Sequence, residues 1–145
     1  IEIKVPIEIT WAAVKQFDKI SEWHGDLRGS TGDGRLESGG IRMLTFQNGE
    51  QLSDDLDFFS DKDHEYSFRI KTENIKALPV SSYSVTVLVE PGSADQSSII
   101  TFKSRFYRGD TGNTPSETLN DEAAVNAMTT YFKNGLGGLK RKLEQ

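Results

Sequence analysis

The sequence predicts an α+β fold in which a curved antiparallel sheet packs against one long C-terminal helix. Two periodicities and their order point there. Between residues 41 and 106, stretch after stretch alternates apolar and polar side chains with period two, as half-buried strands do. Near the C-terminus, Val125, Met128, Phe132, Leu136, Leu139 and Leu143 instead recur at helical steps of three and four. The strands follow one another without intervening helices, which places the helices on one side of an antiparallel sheet.

In chain order, Ile1, Ile3 and Val5 alternate with Glu2 and Lys4 before Pro6 and form a first strand. From Glu8 the period changes. Trp11, Val14 and Phe17, followed by Ile20 and Trp23, fit a short, broken helix pair whose apolar face covers the core. The glycine-rich stretch from Gly25 to Gly40 reads as turns around at most one short strand near Leu27.

Residues 41–46 and 51–58 flank Asn48-Gly49, a dipeptide suited to the tight type I′ turn of a hairpin. A two-residue loop there sets Thr45 opposite Leu52, Met43 opposite Asp54 and Ile41 opposite Leu56. The expected inner face is then Ile41, Met43, Thr45, Leu52, Asp54, Leu56 and Phe58, with Arg42, Leu44, Ser53, Asp55 and Asp57 outside. After the turn at Asp61–His64, Tyr66, Phe68 and Ile70 alternate inward. Tyr83, Val85, Val87 and Val89, then Ile100, Phe102, Ser104 and Phe106, complete a sheet of about six or seven strands. A loop over 109–115 precedes a helix start at Ser116 and the long helix. Gly135, Gly137 and Gly138 interrupt that helix, each at roughly 0.5–1 kcal/mol relative to alanine, which implies a kink or close backbone packing.

Seventeen Lys and Arg against twenty-two Asp and Glu give a net charge of −5 without a phosphate-tracking basic cluster, so nucleic acid is not an expected partner. Lys140-Arg141-Lys142 falls in the last helical turn, where cations meet the negative end of the dipole. With no cysteine, thiolate chemistry and disulfides are absent. His24 and His64 make no metal-binding spacing, and neither a nucleophile elbow nor a phosphate loop is present, so no metal or cofactor is expected. No apolar run reaches the ~20 residues that span a bilayer. Residues 1–145 are read as one ligand-binding domain, monomeric or homodimeric. The expected location is cytoplasmic, with export left open because Ile1 falls inside a strand pattern.

A sheet curled around one helix leaves a concave face that the helix stripe cannot fill, so a cavity for an apolar small molecule is expected. Asp54 is the oddity in the apolar row. Burial would raise its pKa and fit it for acid or base work; alternatively a neighbouring Arg or Lys, or a Tyr hydroxyl, satisfies it structurally. Tyr66 and Tyr83 are expected to line the cavity and, with Asp54, to form its polar end. His24 is either a proton shuttle or a partly exposed residue helping to end a helix, and His64 is a solvated turn residue. Met43, Phe102, Met128 and Phe132 are candidate lining residues or simple core, as are Phe58 and Phe106.

Pro6-x4-Trp11-x5-Phe17-x5-Trp23-His24 and the strand from Gly49 to Leu56 resemble the START/Bet v1-like (SRPBCC) superfamily over nearly the whole chain. The bacterial polyketide cyclase/dehydrase-like branch is the nearest in pattern. Gly39-Gly40-Ile41-Arg42, the strand Tyr66–Ile70, Leu78-Pro79 before Tyr83 and the glycine-containing last helix carry that likeness. The chain departs from it at Gly25 after Trp23-His24, where the family often has Pro, at Asp54 for a common Glu, and at Phe102 for a frequent Trp. The resemblance implies a helix-grip fold with a deep pocket for lipids, polyketides or other apolar ligands, and no particular reaction. Three functions follow from it. The first is binding of a small hydrophobic ligand; the second is cyclase/dehydrase chemistry with Asp54, Tyr83 or His24 moving protons; the third is a protein-interaction module with a collapsed cavity.

Overall fold

The computed structural model describes residues 1–145. Seven antiparallel strands form one sheet: β1 (Glu2–Ile3), β2 (Leu27–Gly32), β3 (Ile41–Phe46), β4 (Gln51–Ser60), β5 (Glu65–Thr72), β6 (Val80–Pro91) and β7 (Ser98–Arg108). From β2 to β7 each strand pairs with its sequence neighbour, and β1 crosses over to close the far side against β7. Helix α1 (Ile7–Val14) and a 3-10 segment (Phe17–Glu22) follow β1, and α2 (Asp121–Leu143) ends the chain. This is the helix-grip arrangement.

The helix pair buries Trp11, Val14, Phe17 and Ile20, followed by Trp23, the three-residue spacing expected of its apolar face. Helix α2 starts later than Ser116. Residues 116–119 form turns, and Asn120 caps the helix by accepting a hydrogen bond from the Ala123 N–H at 2.9 Å. Its buried stripe is Ala124, Met128, Tyr131, Gly135 and Leu139; it keeps Met128 and Leu139 of the expected one and otherwise sits one position earlier, and Val125 is half exposed. The helix runs unbroken through its glycines. A Cβ on Gly138 would stand 2.1 Å from the Trp23 carbonyl oxygen, and one on Gly135 would stand 2.7 Å from the His24 ring. The glycines therefore let α2 pack directly against the Trp23 backbone and the His24 ring.

The hairpin between β3 and β4 corrects the expected register. Phe46 N–H donates to the Glu50 carbonyl and Gly49 N–H to the Phe46 carbonyl, so the loop holds three residues, Gln47, Asn48 and Gly49. Gly49 takes the positive φ of 87° that such a loop needs at its last position. One extra loop residue slides β3 by one place and turns every β3 side chain to the opposite face. Leu44 pairs with Leu52, and Arg42 with Asp54. Arg42, Leu44 and Phe46 are buried, whereas Met43 is exposed and Ile41 and Thr45 are half-buried on the outer face. Met43 therefore does not line the cavity. A bulge between Leu56 and Phe58 sends Phe58 outward and turns Phe59 in toward Trp11, at 5.6 Å between rings.

Candidate functional site

Asp54 is fully buried at the centre of β4, and the register brings Arg42 of β3 directly opposite. The Arg42 Nε donates to Asp54 Oδ2 at 2.9 Å, and its Nη1 donates to the Phe17 carbonyl at 2.9 Å. Its guanidinium lies between the rings of Phe17 and Phe68, 4.0 and 4.3 Å from their centroids. The Tyr83 hydroxyl of β6 donates to the other carboxylate oxygen, Asp54 Oδ1. Five chain segments, β3, β4, β5, β6 and the 3-10 turn, therefore converge on one buried ion pair.

Burial raises the Asp54 carboxyl above its ordinary value, and Arg42 and the Tyr83 hydroxyl offset only part of that rise. Burial works most strongly against the Arg42 charge, but Asp54 together with Tyr66, Tyr131 and Tyr83 outweighs it, and the guanidinium is held more firmly protonated. Because nothing in a protein deprotonates arginine, the carboxylate beside it stays ionised at neutral pH. Burial, reinforced by Asp54, raises Tyr83 well above the ordinary phenol range. Tyr66 donates its hydroxyl to the Val14 carbonyl at 3.0 Å, and burial pushes it up to about 12.

Beside this pair lies a pocket lined by aromatic side chains from the sheet, from α2 and from the segment after the 3-10 turn. Trp23, Tyr66, Phe68, Phe102, Tyr131 and Phe132 form most of its wall, joined by His24 and Arg42. The free space is about 20 Å³, and a pocket of that size holds about one water molecule. Phe132 closes it against Phe102, at 5.5 Å between rings. Three buried polar atoms of its lining residues have no hydrogen-bond partner: Trp23 Nε1, His24 Nε2 and the Tyr131 hydroxyl.

His24 is almost fully buried rather than partly exposed. Its Nδ1 accepts from the Asp26 N–H at 3.3 Å, which places the proton of the neutral ring on Nε2. The ring lies 4.3 Å from the Tyr131 ring, between centroids, over Gly135. Burial, followed by the Arg42 charge, lowers its pKa to about 4; the Tyr131 carbonyl opposes this slightly, without hydrogen-bond geometry. His24 is neutral at pH 7 and docks α2.

The expected site residues separate into groups. Tyr66, Phe102, Phe132 and His24 line the pocket. Asp54 and Tyr83 stand behind Arg42 in the ion-pair cluster, outside the lining. Met128 is buried in the core, and Met43 faces outward. The sequence reading missed three contributors. Arg42 was hidden by the hairpin register. Tyr131 carried a signal, since it sits between Met128 and Gly135 at helical steps of three and four, but the stripe was centred on Phe132. Trp23 was legible as core, and its unpartnered N–H was not.

A family described as polyketide cyclase/dehydrase and lipid transport matches residues 1–144. The chain belongs to that family. Among solved structures, an uncharacterised protein of Bacillus thuringiensis is 25% identical with a TM-score of 0.80, covering 100% of this chain and 96% of the other. The protein XoxI of Bacillus cereus is 26% identical, also at 0.80, covering 99% and 91%. A protein of Nitrosospira multiformis, 16% identical with a TM-score of 0.74 over 99% and 92% of the two chains, shares the fold. No curated protein matches the chain. No helix in this family member is long and apolar enough to cross a membrane.

Proposed function

We propose that this chain binds a small, mainly apolar molecule between the sheet and α2, in the pocket walled by Trp23, Phe102, Tyr131 and Phe132. The observation that carries the reading is an aromatic pocket, buried inside the fold, whose lining residues hold polar atoms without partners. An unpaired buried donor costs about 1–3 kcal/mol, and a bound molecule that pairs it recovers part of that. Family membership supports the same reading. With only about 20 Å³ free, entry of a ligand requires Phe132 to leave Phe102, so binding and a local movement of α2 are coupled.

Binding is favoured over cyclase/dehydrase turnover because the candidate proton carriers are committed elsewhere. Asp54 is engaged on both oxygens, and His24 is neutral against α2. Native mass spectrometry and displacement of an environment-sensitive apolar dye test the proposal. Saturable uptake is expected, with tighter uptake by Phe132→Ala, which enlarges the pocket. No uptake by either protein would overturn the reading in favour of a collapsed interaction module.

A further inference from the structure

The polar groups around the pocket are unbalanced in one direction. Trp23 Nε1–H can only donate, and it is buried without an acceptor. The Tyr131 hydroxyl is equally buried and unpartnered. Trp23 is 6% exposed and Tyr131 7%, so bulk solvent reaches neither group. Beside them, Arg42 is a further donor.

Apart from the Tyr131 hydroxyl oxygen, the acceptors near the pocket are already engaged. The Val14 carbonyl receives the Tyr66 hydroxyl and the Phe17 carbonyl receives Arg42. Both Asp54 oxygens are occupied, and His24 Nδ1 receives the Asp26 N–H. A ligand N–H would find only the Tyr131 hydroxyl oxygen to accept it and would leave the Trp23 N–H and the His24 Nε2–H unpaired. A ligand oxygen would meet hydrogens that lack a partner. Net charge points the same way, because Asp54 already balances Arg42 and leaves no free cation for a carboxylate.

On the reading that this pocket binds an apolar molecule, we infer that its ligand presents a carbonyl-type oxygen, an acceptor without a donor, to the Tyr131 hydroxyl and the Trp23 indole N–H. The two side chains flank the His24 ring, whose centroid lies 5.9 Å from the Trp23 ring and 4.3 Å from the Tyr131 ring. Both line the same pocket, so a ligand seated there borders both side chains. The remaining wall is aromatic and aliphatic and fits a flat carbon frame.

Four probes of similar frame separate the possibilities: 1-indanone as acceptor, indane with no polar group, indole as donor and indane-2-carboxylate as anion. Each is titrated into ¹⁵N-labelled protein while the two tryptophan side-chain N–H signals are followed. Trp11 is the internal control, since its Nε1 already donates to Asp61 Oδ1 at 2.7 Å. Indanone is expected to bind about tenfold tighter than indane and to shift the Trp23 signal alone. Tyr131→Phe is expected to narrow the preference for indanone over indane toward unity. Equal affinities, preference for indole or the carboxylate, or an unmoved Trp23 signal while indanone binds, overturns the acceptor inference and leaves the binding proposal intact. No binding by any probe, in wild type or Phe132→Ala, overturns both.

Discussion

Arg42 and Asp54 stand directly opposite one another on β3 and β4, their charged groups 2.9 Å apart and their side chains 1% and 0% exposed. A pair this dry is held by mutual compensation. Removing one partner strands the other charge, whereas removing both strands neither. Asp54→Asn or Arg42→Met alone is expected to lower the unfolding free energy by about 3–5 kcal/mol in urea denaturation. The double variant Arg42→Met/Asp54→Leu should lose less than either single change. Additive losses would show that the two side chains act independently.

Two tyrosine-to-phenylalanine changes should have opposite signs. Tyr83 gives its hydroxyl to an ionised carboxylate, a bond of about 1.5–3 kcal/mol, so Tyr83→Phe should destabilise by that order. The Tyr131 hydroxyl has no partner, so Tyr131→Phe removes a desolvation penalty and should stabilise the ligand-free protein by up to about 1 kcal/mol. Thermal unfolding of both variants provides the comparison. A loss for Tyr131→Phe equal to that for Tyr83→Phe would mean the hydroxyl is satisfied.

His24 gives the stability a pH slope. Its pKa falls from 6.5 unfolded to about 4 folded, chiefly through burial. Between those values the unfolded chain binds a proton that the folded chain refuses, so stability is full above pH 6.5 and drops as pH falls toward 4. The drop is about 1.4 kcal/mol per pH unit, roughly 3 kcal/mol in all. Denaturation at pH 7 and pH 4.5 should show a smaller difference for His24→Gln than for wild type. Matching differences would place the histidine in water.

Neighbouring glycines of α2 should respond differently to alanine. A Cβ at Gly138 would overlap the Trp23 backbone, which cannot yield without moving the segment that carries His24. Gly138→Ala should cost several-fold more than the roughly 1 kcal/mol of an ordinary core perturbation and open the helix dock. At Gly137 the nearest atom is the flexible end of Arg141, 3.4 Å away, and helix propensity gives alanine an advantage of about 1 kcal/mol. Circular-dichroism melts should therefore move in opposite directions, and equal shifts would refute the backbone contact.

Much of this was legible along the chain. Alternation located the strands, the three-residue spacing from Trp11 to Trp23 located the helix pair, and Asp54 was marked as a buried charge needing an Arg or a Tyr. Both partners proved to be present. The identity of the Arg was lost at one point, the length of the loop around Asn48-Gly49. Local sequence tolerates either a two- or a three-residue loop there, and the choice inverts the faces of β3. The stripe on α2 slipped for a related reason: glycine counts as an interruption in a hydrophobicity pattern, yet Gly135 is buried where another chain segment presses against it.

Periodicity by itself determined the elements, their order and the existence of an apolar concave face, because these follow from side-chain polarity repeated along a single chain. Only the tertiary structure decided that Arg42 meets Asp54, that α2 rests on the Trp23 backbone and the His24 ring, and that Trp23 and Tyr131 keep unpaired hydrogens. Pairing of a buried polar group depends on which atom of a distant segment arrives within about 3 Å, and that distance is set by register and helix docking rather than by the residue's own neighbours.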